Sequence, residues 1–294
     1  MKPSIAIFVA LLLVGACRKE EVKPVVESSG HTREIELWQK KRAERLLAED
    51  GWLSLVNLQW LNEGENALEI PHEGTKSPGK VVMKNGVVTL EPAVPMMTGG
   101  KPVTTPMVLL DDSQKEGPTV VQLGTMRFQV IKRGPRWALR VKDSQAKTRT
   151  EFKGLTYFPI DSKWRVEARY EPYNPMKKIP IVDVTGRTED SDSPGALVFT
   201  VEGKEYRIDP VLEEGTDDLF IIFRDATSKD ETYPAGRYLY AKKPGPDGKV
   251  IVDFNKAYNP PCSFTPYATC PLPPLQNRLP FRIEAGEKKY AGHH

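Results

Sequence analysis

The chain reads WRVEARYE over residues 164–171, and this stretch alternates apolar and charged side chains without a break. Successive side chains of a β-strand point to opposite faces, so Trp164, Val166 and Ala168 share one face with Tyr170. The four charges of alternating sign share the other face. The stretch therefore predicts an antiparallel strand with one face in a core and the other in solvent or a polar lumen.

Strand and turn patterns recur on both sides of this stretch. The sequence Asn-Gly at 85–86 joins apolar runs at 80–83 and 87–91, and Glu202-Gly203 joins the runs 196–201 and 204–208. Both junctions predict tight hairpins, because these residues tolerate the positive φ that such turns demand. Further strands are predicted at 52–61, 219–223, 237–240 and 249–254. No second long helical pattern interrupts them, which excludes repeated βαβ units and predicts a mainly β protein, an antiparallel barrel or sandwich.

Three segments depart from this strand pattern. Ile35, Trp38, Leu46 and Leu47 are spaced along one helical stripe, which predicts one N-terminal helix over about 33–49. The Pro- and Gly-rich residues 92–118 predict a long loop. Seven prolines between 260 and 280 forbid a regular helix or central strand, so the C-terminal part is expected to be a stiff, extended wrap.

The first residues are typical of an exported lipoprotein. A basic start is followed by the apolar run 5–14 and by Leu-Val-Gly-Ala before Cys17. An apolar run of about ten residues is too short to span a bilayer, which takes roughly 20. We expect a signal peptide at 1–16, lipid on Cys17, a flexible tether at 17–31 and a single β-rich domain at 32–290. Several acyl chains would hold such a protein stably on the membrane.

Charge and motifs limit the possible partners. The formal net charge is only +3, which argues against nucleic acid as a partner. Arg18 after the lipidated cysteine favours the outer membrane facing the periplasm, and the charged residues 19–21 leave the cell surface as an alternative. We find no phosphate-binding loop and no dinucleotide motif, and predict no cofactor and no metal. The four histidines, His31, His72, His293 and His294, all lie outside the predicted strands, so a histidine-based catalytic site is not expected.

Residues 223–240 contain the densest polar cluster, with Arg224, Asp225, Tyr233 and Arg237 between two apolar strands. Two interpretations remain open. The paired arginines could hold an anionic ligand at the mouth of a barrel. Alternatively, Asp225 and Arg237 could form an ion pair that ties a loop together.

The proline-rich tail carries a second polar cluster, comprising Asp253, Asn255, Tyr258, Asn259 and Arg278. These side chains are expected either to line a pocket or to satisfy the hydrogen bonds of an irregular backbone. In an oxidising compartment, Cys262 and Cys270 are most simply expected to form a disulfide. A metal pair is disfavoured, because two sulfurs are short of the usual four zinc ligands.

The tail also carries a family resemblance. It reads DFN from 253, AYNPPC from 257, TPYATCPLPP from 265, NRL from 277 and AGEK from 285. These motifs resemble the bacterial and archaeal family known as domain of unknown function 1684, DUF1684. Thr232-Tyr233, Gly236-Arg237 and residues 51–61 are similar to that family too, so the resemblance covers about 36–290. It implies one domain and no assigned activity, and it weakens the disulfide prediction, because family members that look cytoplasmic also keep both cysteines.

Three functional hypotheses follow. The favoured one is a lipid-tethered envelope protein that binds a small or oligomeric ligand in a polar cleft. Six side chains are expected to face that ligand: Arg224, Tyr233, Arg237, Asp253, Tyr258 and Arg278. The second is a histidine-independent hydrolase using Asp225 and Asp253, for which two carboxyls about 5 to 10 Å apart in one cleft would be needed. The third is an envelope scaffold that meets another protein through an apolar patch of roughly several hundred Å².

Overall fold

The computed structural model describes residues 30–70 and 77–292. The described part is mainly β with antiparallel sheets and one long N-terminal helix, as predicted. The helices are α1 (Gly30–Leu47) and the single turn α2 (Lys147–Thr150). The first ten strands are β1 (Leu55–Trp60), β2 (Gly64–Ala67), β3 (Gly79–Lys84), β4 (Val87–Pro92), β5 (Met96–Thr98), β6 (Lys101–Val103), β7 (Met107–Leu109), β8 (Val121–Leu123), β9 (Met126–Arg133) and β10 (Arg136–Asp143). The last six are β11 (Arg165–Val182), β12 (Thr188–Val201), β13 (Lys204–Ile208), β14 (Leu219–Phe223), β15 (Arg237–Ala241) and β16 (Lys249–Asp253).

The N-terminal strands form two sheets around one hydrophobic core. Their orders are β1-β10-β9-β8-β5-β6 and β2-β3-β4-β7. On β10, Leu139 and Val141 point into this core with Phe128 of β9. Because side chains alternate along a strand, Ala138 and Arg140 lie on the opposite face of the same sheet. That outer face forms one wall of the groove described below.

The C-terminal strands build a second core. The sheet β13-β12-β11-β16 packs with the hairpin β14-β15, and its core contains Trp164, Ala168 and Phe254. The face predicted from residues 164–170 is therefore confirmed. On β14, Leu219, Ile221 and Phe223 enter this core, whereas Phe220 and Ile222 join a separate apolar cluster with residues of the tail. The hairpin is thus buried on both faces.

Both predicted tight hairpins are confirmed. Asn85 and Gly86 connect β3 to β4 with φ values of 52° and 77°. Glu202 and Gly203 connect β12 to β13 with φ values of 50° and 76°. These are the left-handed conformations that the turn chemistry predicted.

Three predicted boundaries differ from the structure. Residues 92–118 are not one long loop but contain β5, β6 and β7. Gly99 and Gly100 make a positive-φ turn between β5 and β6, and Pro102 is accommodated because β6 is an edge strand. The helix α1 begins at Gly30 and ends at Leu47, earlier than predicted at both ends, and residues 52–54 form a 3-10 turn before β1. The single domain over 32–290 stays a prediction.

The predicted signal peptide, Cys17 and the tether up to residue 29 lie outside the described residues, as do His72, His293 and His294. Within 30–70 and 77–292, no helix combines the length and apolar character that a membrane crossing requires.

Candidate ligand-binding groove

The proline-rich tail lies on the hairpin that contains the first polar cluster. Leu279 donates its N–H to the Arg224 carbonyl at 2.7 Å, and the Arg224 N–H bonds the Asn277 carbonyl at 3.1 Å. Tyr238 and Tyr258 exchange two backbone hydrogen bonds of 2.9 Å. The tail therefore lies beside the hairpin as predicted, and the question becomes which polar side chains this contact leaves accessible.

Asp225 and Arg237 are fully buried and bonded to each other. Arg237 Nη2 lies 3.1 Å from Asp225 Oδ1, and both side chains have no exposed area. Arg237 also donates to the carbonyls of Ile283 and Ala285, while Asp225 accepts the N–H of Ile283. Burial lowers the pKa of Arg237, and the nearby Asp225 charge opposes that shift. The geometry therefore favours the ion-pair interpretation, because neither side chain can touch a ligand from solvent.

Asp253 and Asn255 likewise bond protein groups. Asn255 exchanges hydrogen bonds with the backbone of Asp161 and donates to Asp253 Oδ1. Asp253 Oδ2 lies 2.7 Å from Nε2 of His31. His31, which the sequence placed in the predicted tether at 17–31, therefore lies instead in α1, which begins at Gly30 and packs on the 3-10 turn 254–256.

Asn259 takes part in a buried network that the sequence did not reveal. Arg42 on α1 donates to Glu287 Oε1 and to the Asn259 carbonyl, both at 2.9 Å. The Asn259 N–H bonds Glu287 Oε2 at 2.8 Å. Burial raises the pKa of Glu287, an effect that the charge of Arg42 opposes. This network ties the N-terminal helix to the tail.

The other candidates are dispersed. Arg278 is exposed and Arg224 is partly buried beside it on the tail contact. Tyr233 donates its hydroxyl to the Cys262 carbonyl at 3.1 Å. Of the nine predicted ligand-contacting residues, only Tyr258 lines the large groove.

Cys262 and Cys270 are both free thiols. The Cys262 N–H donates to Cys270 Sγ at 3.1 Å, so the two side chains are adjacent without being bonded. Hydrogen bonding from Cys270 lowers the pKa of Cys262, with a further contribution from Tyr233. Burial raises the pKa of Cys270 far above its ordinary value. The structure does not join the two sulfurs covalently and the predicted disulfide stays a prediction; in the reduced pair, Cys262 is the more acidic thiol and is half-buried.

A large groove separates the outer face of the N-terminal sheet from the β14-β15 hairpin. Its volume is about 1340 Å³, which exceeds the roughly 300–1,000 Å³ of usual small-molecule sites. One wall comes from β10, the β9-β10 turn and the C-terminal half of α1. The opposite wall comes from β14, β15, the tail and the β11-β12 turn. The groove thus lies on the opposite face of the hairpin from the Asp225–Arg237 pair.

Aromatic rings line the hairpin wall in a continuous series. Phe220 lies 5.0 Å from Tyr238 and 4.9 Å from Tyr240, measured between ring centroids. Tyr258 follows at 6.3 Å from Tyr240, and Trp38 of α1 at 6.4 Å from Tyr258. Alternation along β14 and β15 places the rings of Phe220, Tyr238 and Tyr240 on the groove face. Leu219, Ile221 and Leu239 point the other way, into the core. Such flat surfaces suit the faces of sugar or other ring systems.

Arg140 lies on the opposite wall without a counter-ion. Its guanidinium stacks over Trp52 at 5.1 Å, and Nε is enclosed without a hydrogen-bond acceptor. Among the described residues it forms no ion pair, whereas its neighbours Arg133 and Arg187 bond Asp112 and Asp183. Burial lowers the pKa of Arg140 to about 10, and the charge of Arg133 adds to the shift. An enclosed polar group without a partner costs about 1–3 kcal/mol.

Comparison with known proteins places the C-terminal half of the chain in a family. Residues 150–288 match the family described as "Protein of unknown function (DUF1684)". Residues 150–288 belong to DUF1684. The DUF1684 region contains the hairpin wall of the groove, and it is shorter than the span of 36–290 expected from the motifs. Arg140 and α1 lie outside it.

Among the solved structures that match the chain is the solution NMR structure of an uncharacterized protein of Haloarcula marismortui. It is 30% identical, and the alignment covers 49% of this chain and 81% of that chain with a TM-score of 0.41. No curated protein matches the chain. None of these similarities assigns an activity.

The described residues contain no group of three or more His, Cys, Asp or Glu side chains placed to hold a metal ion. Asp225 and Asp253, the carboxylates of the hydrolase hypothesis, bond Arg237 and His31 and do not line the groove.

Proposed function

We propose that this protein is a lipid-anchored protein of the bacterial envelope that binds a small or oligomeric ligand in the groove between the outer face of its N-terminal sheet and the β14-β15 hairpin. One observation carries the binding proposal: a series of aromatic rings runs along one wall of an open groove of about 1340 Å³. Phe220 and Tyr238 are 5% exposed, whereas Tyr240 and Tyr258 are only partly buried, and partly exposed aromatic rings at the wall of a groove favour an interaction site.

The groove walls are stiff, which favours binding without a large rearrangement. The Tyr238 hydroxyl donates to the Pro271 carbonyl at 2.8 Å, and Tyr240 donates to Glu213. Arg42 lies 4.6 Å over the Tyr258 ring and is itself held by Glu287. Side chains that are already fixed lose little conformational entropy when a ligand arrives.

The binding proposal is tested with full-length protein purified from a bacterial envelope in mild detergent and examined by native mass spectrometry. We expect a small molecule to be retained by the wild type and lost from Tyr240→Ala, which removes part of the ring series. Tyr267→Ala is the matched control, because Tyr267 is a tail tyrosine that is 36% exposed and does not line the groove. Equal retention by both variants, or retention by none of the three proteins, would contradict the proposal.

Membrane anchoring is a separate part of the proposal. It rests on the N-terminal residues 1–17, an apolar run followed by small residues and Cys17. Wild-type protein expressed in a bacterial host is expected to incorporate labelled palmitate and to sediment with the outer membrane. Cys17→Ser should do neither, because the thiol accepts the lipid. A serine variant that remains in the membrane fraction would count against the anchor and leave the groove proposal untouched.

A further inference from the structure

Resting on the proposed function, we propose that Arg140 binds an oxyanion of the ligand, so that the molecule in the groove carries a carboxylate or phosphate group. Arg140 lies on the outer face of β10 and its Nε is enclosed without an acceptor. A guanidinium presents its donors in a planar fork that matches both kinds of oxyanion.

The surroundings of Arg140 explain why this arginine rather than a neighbour would bind the anion. Arg133 is engaged by Asp112 at 2.8 Å. Arg187 bonds Asp183 and Glu189, and its Nη1 atom lies against the turn at Gly134, where an added Cβ would come within 3.1 Å of it. These two arginines have their charges balanced, so the ligand would have to displace a carboxylate to use them. Arg140 requires no such displacement.

The stacking of Arg140 on Trp52 fixes its position. The guanidinium carbon lies 5.1 Å from the ring centroid, so the charged plane is held at the wall instead of extending into solvent. An arginine that is held by an aromatic face keeps its N–H groups free for an in-plane acceptor. The geometry thus combines a guanidinium held in place by Trp52, the lack of an ion pair to Arg140 among the described residues and a groove that Arg140 lines.

Arg136 provides a matched control. It lies on the same strand and the same face of the sheet as Arg140, four residues earlier, and stacks over Trp60 at 3.6 Å. It is exposed and does not line the groove. Replacing either arginine removes one positive charge and one ring contact, and the two variants differ in burial and in whether the replaced side chain lines the groove.

The experiment measures binding of three probes to the full chain by calorimetry: phenyl phosphate, phenylacetate and the neutral phenyl glucoside. At least one anionic probe should bind wild type and lose about tenfold or more in affinity in Arg140→Met, while Arg136→Met binds it unchanged. Phenyl glucoside should bind all three proteins alike. Whichever anionic probe loses more identifies the oxyanion as phosphate or carboxylate.

Different outcomes separate the two proposals. The assignment of Arg140 is wrong if the anionic probes bind Arg140→Met as tightly as wild type, or if Arg136→Met lowers their affinity equally. In either case, binding of phenyl glucoside would still support ligand binding in the groove. If no probe binds at concentrations up to about 10 mM, the affinity is weaker than millimolar. Both the assignment of Arg140 and the proposal of ligand binding in the groove then fail. Thermal unfolding without ligand controls for folding, and Arg140→Met should unfold no lower than Arg136→Met, because it removes a charge that has no partner.

Discussion

The buried pair Arg42–Glu287 makes a quantitative prediction about how the N-terminal helix is held. The two side chains are 8% and 0% exposed, and Arg42 Nε lies 2.9 Å from Glu287 Oε1. Glu287→Gln preserves the shape but leaves the charge of Arg42 buried without a partner. Removing one member of a buried ion pair costs about 3–5 kcal/mol. For a chain of this size we expect the melting temperature to fall by about 6–20 °C.

The matched control is Glu34→Gln. Glu34 also joins α1 to the C-terminal part, through Lys256, but its side chain is 54% exposed. An exposed pair contributes about 0–1 kcal/mol, so this variant should melt close to wild type. Both variants remove one negative charge from the contact between α1 and the tail, and they differ in burial.

A double-mutant cycle tests whether the two buried side chains act as a pair. Arg42→Met leaves a buried carboxyl that keeps only the Asn259 N–H as a donor. In Arg42→Met combined with Glu287→Gln, the amide oxygen can still accept that N–H and no charge remains. The double variant should therefore be more stable than the sum of the single losses predicts, by about 1–3 kcal/mol. Additive losses would contradict the pairing.

Urea unfolding followed by tryptophan fluorescence measures all of these variants. The reasoning is refuted if Glu287→Gln loses less than about 1 kcal/mol, no more than the exposed control.

Three further predictions concern the tail. Cys262 should react with iodoacetamide at a lower pH than an ordinary thiol. Cys270→Ala should raise the midpoint of that pH profile, because the Cys270 hydrogen bond lowers the pKa of Cys262. If mass spectrometry shows that neither cysteine is alkylated without reductant, the result would instead indicate a disulfide. Gly236→Ala should destabilise the protein by about 2 kcal/mol or more in urea unfolding, because φ is 110° and an added Cβ would lie 2.5 Å from the Phe223 carbonyl oxygen; an unchanged midpoint would show that the turn can relax. Asn277→Ala should lower the free energy of unfolding by about 3 kcal/mol, because the buried Asn277 side chain makes three hydrogen bonds to backbone groups. Asn277→Asp should recover only part of that loss, because a carboxylate cannot donate the two hydrogen bonds that the amide donates.

Most strands were predictable because their determinants are local. Alternation with a period of two identified the inward face of residues 164–170, and positive-φ residues marked the turns at 85–86 and 202–203. The segment 92–118 was misread because prolines and glycines are equally compatible with loops and with short edge strands. Pro102 is tolerated where no further strand needs its missing N–H.

The groove and the network around Arg42 could not be predicted, because their residues come from distant parts of the chain. Arg42 and Glu287 are separated by 245 positions, and nothing local marks either as the partner of the other. The sequence of β14, LFIIF, did carry a usable signal: an apolar strand without alternation is buried on both faces. Arg140 had a weaker signal, since it shares its face of β10 with the fully buried Ala138.

The polar residues of the tail motifs therefore serve the second of the two purposes expected for them, the hydrogen bonds of an irregular backbone. Asn255, Asn259 and Asn277 each bond backbone groups of other segments, and such bonds satisfy an irregular proline-rich chain that cannot pair as a strand. Residues used in this way are unavailable to a ligand. Their effect is to press the tail against the hairpin, which turns the rings of Tyr240 and Tyr258 toward the groove. The opposite wall, with Arg140, lies outside the matched region 150–288. If the proposed ligand binds in this groove, the matched region supplies the rings of Phe220, Tyr240 and Tyr258, and Arg140 comes from the part of the chain that precedes that region.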